Sequence, residues 1–207
     1  MLEILFAFDP VVLFGFIVAG FLLNLTPGAD FVFVTANAIT GGPRIGRAAA
    51  LGINLGVLVH VAAAAAGVSA LLIAHPAAYD IIRYAGAVYL LFIAWKAWTS
   101  TGGLGSAEGA LSAPQAIRRG FLTNVLNPKT ALFIFAFIPQ FTDPALGPIW
   151  MQIVLLGLIF TVNGFAFVLL LATTTGHLAP LLRNHMTTLN KITAILFGGL
   201  AARLVLD

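Results

Sequence analysis

Two ionisable residues stand deep inside apolar stretches, each just after a proline: Asp30 in LTPGADF and Lys129 in LNPKTALF. A charge at membrane depth costs at least about 2.5–3.5 kcal/mol on insertion scales, so it normally faces a partner or a cavity. An α-amino acid carries one ammonium and one carboxylate. Asp30 can hold the first, and Lys129, helped by helix ends, the second. Asp30 is also the better proton carrier. The alternative is a buried ion pair that pins two parts of the chain together.

The prolines explain the placement. Of ten, eight sit at segment ends or in loops, and only Pro27 and Pro128 lie inside apolar segments. A proline in a helix interior removes a donor and clashes with the preceding turn, at about 3 kcal/mol or more. The two sites look alike: GFLLNLTPGADF at 20–31 and GFLTNVLNPKTALF at 120–133, both opening Gly-Phe-Leu-x-Asn. Thr26-Pro27 and Asn127-Pro128 each read as a helix cap followed by proline at the first helical position. Each pair then ends one half-helix and starts another, with free N–H groups and a positive dipole end directed inward. The residues around the breaks, Thr26, Pro27, Gly28, Asn127 and Pro128, are expected to bind substrate together with Asp30 and Lys129. Asn54 in GINLG and Asn163 in TVNGF occupy similar places in two other segments, and either lines the site or bonds neighbouring helices. His60 is read as a core histidine or a proton relay.

The elements that position these residues are set by composition. The chain has 207 residues, 60% hydrophobic and only 8% charged, with a mean hydropathy of +1.04. A soluble domain carries about 25% charged residues. Soluble enzymes, nucleic-acid binders and disordered chains are excluded, and the solvent is a lipid bilayer. The apolar runs are continuous rather than alternating, which argues against a β-barrel. A spanning helix needs about 20 apolar residues. Six segments fit: 10–39, 46–74, 79–98, 116–141, 149–174 and 187–206. The N-terminus lacks the basic region of a signal peptide, so the first segment is expected to be a retained span. Asp9-Pro10 is a good start for it.

The polar run TSTGGLGSAEGALS, residues 99–112, reads as a flexible linker. It divides the chain into a first three-helix repeat, 1–98, and a second, 113–207. Three spans is an odd number, so the copies run through the membrane in opposite senses. The expected fold is an all-α membrane protein of six transmembrane helices in two inverted repeats, with helices 1 and 4 broken at Pro27 and Pro128. Interrupted helices at matching points of such repeats are the best sequence pointer to a transporter binding site. Arg44, Arg47, Lys96, Arg118, Arg119, Arg183 and Lys191 place the loops after segments one, three and five, and the linker, in the cytoplasm, with both termini outside. If the first segment dips in and returns, five segments span and the N-terminus is cytoplasmic.

LTPGADF, NPKTALFIFAFIPQF, LGINLGVLVH and YAGAVYLLFIAWKAW together resemble the LysE/RhtB superfamily of amino-acid exporters, from Phe14 to about Phe197. The resemblance implies an inner-membrane protein that exports amino acids by proton antiport. The motifs are closer to the RhtB branch, which implies threonine, homoserine, homoserine lactone, leucine and related neutral substrates. It also implies that the acidic and basic positions, Asp30 and Lys129, act on substrate and protons. Ala29 departs from the branch, which often has proline there.

Other classes fit less well. No GxxxxGK[ST] loop is present, so ATP is not the expected driver. An intramembrane enzyme would need a nucleophile–base pair, and there is no cysteine, no GxSxG and no contact by spacing between His60 and Ser69. A channel would want a polar-lined stripe. No histidine pair has metal spacing, and no cofactor or nucleic-acid partner is expected. Gly52-x-x-x-Gly56 is a close-packing signal. Gly28, Gly41, Gly42 and Gly120 are candidate hinges. The apolar outer faces are compatible with a homo-oligomer.

Overall fold

A computed structural model describes residues 2–26, 28–74, 78–99 and 110–206. Pro27, His75, linker residues 100–109 and the side chains of Ser69, Arg83, Arg183 and Arg203 lie outside the described residues. The described chain is all-helical: α1 (Leu2–Ala7), α2 (Pro10–Leu25), α3 (Ala29–Ala74), α4 (Ala78–Thr99), α5 (Ala113–Val125), α6 (Pro128–Leu132) and α7 (Ile149–Leu206). Between α6 and α7 the chain runs through a π-helical turn, Phe133–Phe137, and two 3-10 turns, Ile138–Phe141 and Pro144–Leu146.

The local signals act as read. Asp9 caps α2, its carboxylate accepting from Val11 N at 2.7 Å, with Pro10 at the first helical position. α2 stops at Leu25, where the residue before a proline is pushed to extended backbone; Thr26 has ψ 123°. α3 contains Gly42 at φ 76° next to Pro43. Ala38 and Gly46 would stand about 12 Å apart on a straight helix, yet a β-carbon on Gly46 would meet that of Ala38. The chain therefore reverses at Gly42, one of the expected hinge glycines, and α3 is two antiparallel arms. α7 reverses too. Gly164 abuts the Asn24 side chain, and Thr193 bonds Thr26 at 3.2 Å. A straight helix would separate Gly164 from Thr193 by roughly 40 Å.

Two stretches are long and apolar enough to cross a membrane, Ala29–Gly67 and Ile149–Thr174. The pair Ala113–Val125 and Pro128–Phe141, bent by 52°, makes a third when taken as one span. Fewer of the described residues pass this test than the six expected segments would require. The expected first segment is divided at its break, leaving α2 as a shorter apolar helix, and only 190–202 of the sixth passes as one. Large apolar side chains cover the outside, among them Phe14, Val88, Val162 and Ile195.

Glycines set the helix crossings. Gly52 and Gly56 pack on α5: a β-carbon on Gly52 would strike the Ile117 carbonyl, and one on Gly56 would lie 2.7 Å from Asn124 Cβ. Gly120 meets the Ala49 carbonyl in return, and Gly20 meets the Phe160 ring. One apolar cluster gathers Phe16, Phe133, Phe137, Phe160 and Phe197, and a second gathers Val34, Ala49, Ile53, Ala116 and Val168. The candidate site lies at the seam between them.

Candidate functional site

Asp30 sits in the first turn of α3, across from the α5–α6 break. Its Oδ2 accepts three hydrogen bonds: from Asn124 Nδ2 at 2.9 Å, Asn127 Nδ2 at 3.0 Å and Thr130 Oγ1 at 3.2 Å. Its Oδ1 is buried and finds no partner among the described residues. One oxygen is thus fixed and the other is left open. The three donors recur every third residue, which keeps them on one side of the chain as it crosses the break. Asn127 serves twice. Its Oδ1 caps α6 by accepting from Lys129 N at 3.0 Å, while its Nδ2 reaches Asp30. The cap-proline reading of Asn127-Pro128 is what the structure contains.

The reading of Thr26 as a helix-starting cap is corrected. Thr26 closes α2 instead: its hydroxyl donates to the Leu22 carbonyl at 2.7 Å, and α3 opens with Val32 N bonding the Gly28 carbonyl at 2.9 Å. The threonine hydroxyl adds a second bond to the carbonyl four residues back, which already accepts the Thr26 N–H at 3.0 Å, so the side chain is turned back onto α2 instead of forward across the proline.

Lys129 projects from α6 onto the end of α2. Its Nζ donates to the Leu23 carbonyl at 2.7 Å and the Thr26 carbonyl at 2.8 Å. Carbonyls in the last turn of a helix carry the negative end of its dipole, so a cation suits them. The ammonium is hydrogen-bonded to these carbonyls, and Asp30 acts on it through space rather than by a direct hydrogen bond. Gly28 makes the approach feasible: a β-carbon there would lie 3.4 Å from Lys129 Cδ and Nζ.

Asp30, Lys129, Thr26, Gly28, Asn127 and Asn54 all line one small cavity of about 30 Å³. That is one water's share of liquid volume. Leu23, Phe31, Ile53, Val57, Phe160 and Val168 supply its apolar wall. Asn24 and Thr161, which sequence reasoning did not place there, also line it, and Asn24 Nδ2 is buried without a partner among the described residues.

Three described residues among those predicted are not brought to the cavity: Pro128, which lines a neighbouring space instead, Asn163 and His60. Asn163 lines a separate apolar groove on the outside and donates to the Ile17 carbonyl at 3.3 Å. On a helix, Asn163 is turned about 200° from Thr161, and Thr161 with Gly164 takes the inward face. His60 is buried with Nε2 3.0 Å from the Asn124 carbonyl. A carbonyl only accepts, so that nitrogen carries the proton and His60 holds the end of α5, with Asn124 between it and Asp30. Thr130 was missed, and Asn124, which the sequence suggests as support for the break, was not connected with Asp30. Their signal was the spacing Asn124, Asn127, Thr130.

The family description LysE type translocator matches residues 21–207. An uncharacterized membrane protein of Vibrio cholerae serotype O1 is 30% identical over 190 residues, covering 89% of this chain and 92% of its own. A leucine efflux protein of an Enterobacter species is 29% identical over 195 residues, and one of Salmonella typhimurium 28%, each covering 91% of this chain and 92% of its own. No solved structure matches the chain.

Proposed function

The chain belongs to the LysE type translocator family as a multi-pass membrane protein, and from that premise we propose that it exports a small neutral amino acid with an apolar side chain, leucine before threonine or homoserine. The observation that carries this is the divided Asp30 carboxylate: Oδ2 saturated by three donors, Oδ1 buried and open beside a cavity. The open oxygen takes the substrate ammonium. Lys129, whose third N–H is not used on the α2 carbonyls, takes the carboxylate. The apolar wall of Leu23, Ile53, Val57, Phe160 and Val168 favours a branched aliphatic side chain over a hydroxylated one. The names of the efflux relatives agree with that preference.

A cavity of about 30 Å³ is too small for an amino acid as it stands, so the site must widen to take one. Transport opens it by moving the broken helices apart. We assign the energy source to protons, carried by Asp30 in exchange for substrate, and the location to the inner membrane with both termini outside. Six spans in two inverted repeats remain the proposed architecture. Its support is reciprocal packing: Asn24 of GFLLN lies on Gly164 of TVNGF, and Asn124 of GFLTN lies on Gly56 of GINLG.

The test is counterflow of labelled leucine, threonine and homoserine in proteoliposomes, with and without an imposed pH gradient. Leucine exchange driven by the gradient and lost in Asp30→Asn is the expected result. Gradient-independent exchange would remove protons from the mechanism, and no exchange of any of the three would remove the substrate class.

A further inference from the structure

A second cavity, of about 250 Å³, lies on the far side of Lys129 from Asp30. The two cavities share a wall made of Thr26, Gly28, Asn127 and Lys129. The Lys129 ammonium, bonded to the Leu23 and Thr26 carbonyls, closes that wall.

The larger cavity has its own chemistry. Tyr89, Phe92, Ile93 and Lys96 of α4 line it. Their spacing is that of one helix face over two turns. The face has a hydroxyl at one end, a cation at the other and two apolar side chains between. The Tyr89 hydroxyl is buried and finds no partner among the described residues. A buried hydroxyl left unbonded is costly, and here it belongs to a residue that lines an open space. Asn190 of α7 completes the polar lining. The next residue, Lys191, holds its ammonium 5.9 Å from the Trp98 ring, so a second cation stands near the Lys96 end of α4. At about 250 Å³ this cavity is far larger than the Asp30 cavity and suits one small amino acid.

We propose that this cavity is an entry site, distinct from the Asp30 site, which holds the outgoing amino acid before the Lys129 wall opens. Lys96 takes its carboxylate, the Tyr89 hydroxyl bonds its polar end, and Phe92 and Ile93 receive its apolar side chain. The inference rests on the export reading above. Lys96 in the cavity wall and Lys191 near Trp98 put positive charge at this end of α4, the end expected on the cytoplasmic side, which is where an exporter loads.

The experiment measures labelled L-leucine transport by the full chain in right-side-out and inside-out vesicles, which gives a KM for each face. Lys96→Gln and Tyr89→Phe are expected to raise the cytoplasmic-face KM about tenfold, the loss of one good polar contact, and to leave the external-face KM alone. Leucinol, which lacks the carboxylate, should compete at the cytoplasmic face of the wild type weakly and no worse in Lys96→Gln. A purely structural role for either residue would lower transport from both faces together. KM values unchanged at both faces, or raised equally at both, would overturn the entry site while leaving the export reading intact. A wild type that moves no leucine from either face would overturn the export reading, and the entry site with it.

Discussion

Replacing Asp30 by asparagine and by alanine separates its two oxygens. In Asp30→Asn the amide oxygen can take the place of Oδ2 and keep the donors Asn124 Nδ2, Asn127 Nδ2 and Thr130 Oγ1. The NH2 group then occupies the position of Oδ1, the oxygen without a partner. Folding should change little, because interhelical hydrogen bonds in membranes average about 0.6 kcal/mol and here they are retained. Substrate binding should change strongly. A hydrogen bond to a charged group is worth about 1.5–3 kcal/mol, and at about 1.4 kcal/mol per tenfold its loss is roughly 10- to 150-fold in Kd. Asp30→Ala strips all three donors of their acceptor. Each unsatisfied buried donor costs about 1–3 kcal/mol. Asn124 retains Thr130 Oγ1 at 3.3 Å as a fallback, so Asn127 and the Thr130 hydroxyl bear most of the loss. The assay pairs leucine binding to purified protein with thermal unfolding in the same detergent. The expected pattern is a near-wild-type melting temperature with weak binding for the asparagine variant, and a lowered melting temperature for alanine. Leucine affinity within threefold of wild type in a folded Asp30→Asn protein would refute the division of labour between the oxygens.

Gly28→Val should push Lys129 off the Leu23 and Thr26 carbonyls, since a β-carbon already stands 3.4 Å from Nζ; counterflow should fall at least tenfold, whereas Gly28→Ala should be tolerated. Gly120→Val should force α5 from α3, because a β-carbon would come 2.6 Å from the Ala49 carbonyl; overpacking of this kind costs about 1–3 kcal/mol and is read as a lower melting temperature, with Gly15→Ala, which meets nothing within 4 Å, as the neutral control. Asn163→Ala removes only the 3.3 Å bond to the Ile17 carbonyl, so the leucine KM should hold, while Thr161→Val and Asn54→Ala in the cavity wall should shift it. His60→Gln keeps a donor for the Asn124 carbonyl and should preserve the pH profile of transport; a flattened profile would restore His60 to the proton path.

The helix breaks and both charges were legible in the sequence because proline and intramembrane charge are rare and costly, so each stands out alone. The reversal at Gly42-Pro43 was legible for the same reason. The partners of the charges were harder to read. Asn124 and Thr130 are ordinary residues whose role appears only when α5 lies against α3, and that contact depends on where Gly52, Gly56 and Gly120 let backbones meet. Asn163 was misplaced by analogy with Asn54: the motifs match, but a neighbour one or two positions away on a helix looks out on a different solvent. Tyr89 and Lys96 lie within YAGAVYLLFIAWKAW, a motif that pointed to the family and not to a site. Their significance lies in a cavity formed between α4 and the α2–α6 contact, which no local pattern encodes.

The two charges are held crosswise. The Asp30 carboxylate, from the first half of the chain, accepts among the described residues only from donors of the second half: Asn124, Asn127 and Thr130. The Lys129 ammonium, from the second half, donates among the described residues only to carbonyls of the first: Leu23 and Thr26. Any rocking of one half on the other must stretch both sets together, so neither charge can be released while the other stays bound. A bound amino acid supplies what both then lack, an ammonium for the carboxylate and a carboxylate for the ammonium. A ligand shifts a conformational equilibrium only by its differential affinity for the two states. A zwitterion that replaces both sets of bonds at once provides that difference, and an amine or a carboxylic acid alone replaces only one. Leucine should therefore drive counterflow, while isoamylamine and isocaproate, each carrying one of the two charges on a similar apolar body, should bind weakly and fail to exchange. Exchange of either at the rate of leucine would show that the crosswise bonds are not what keeps the cavity closed.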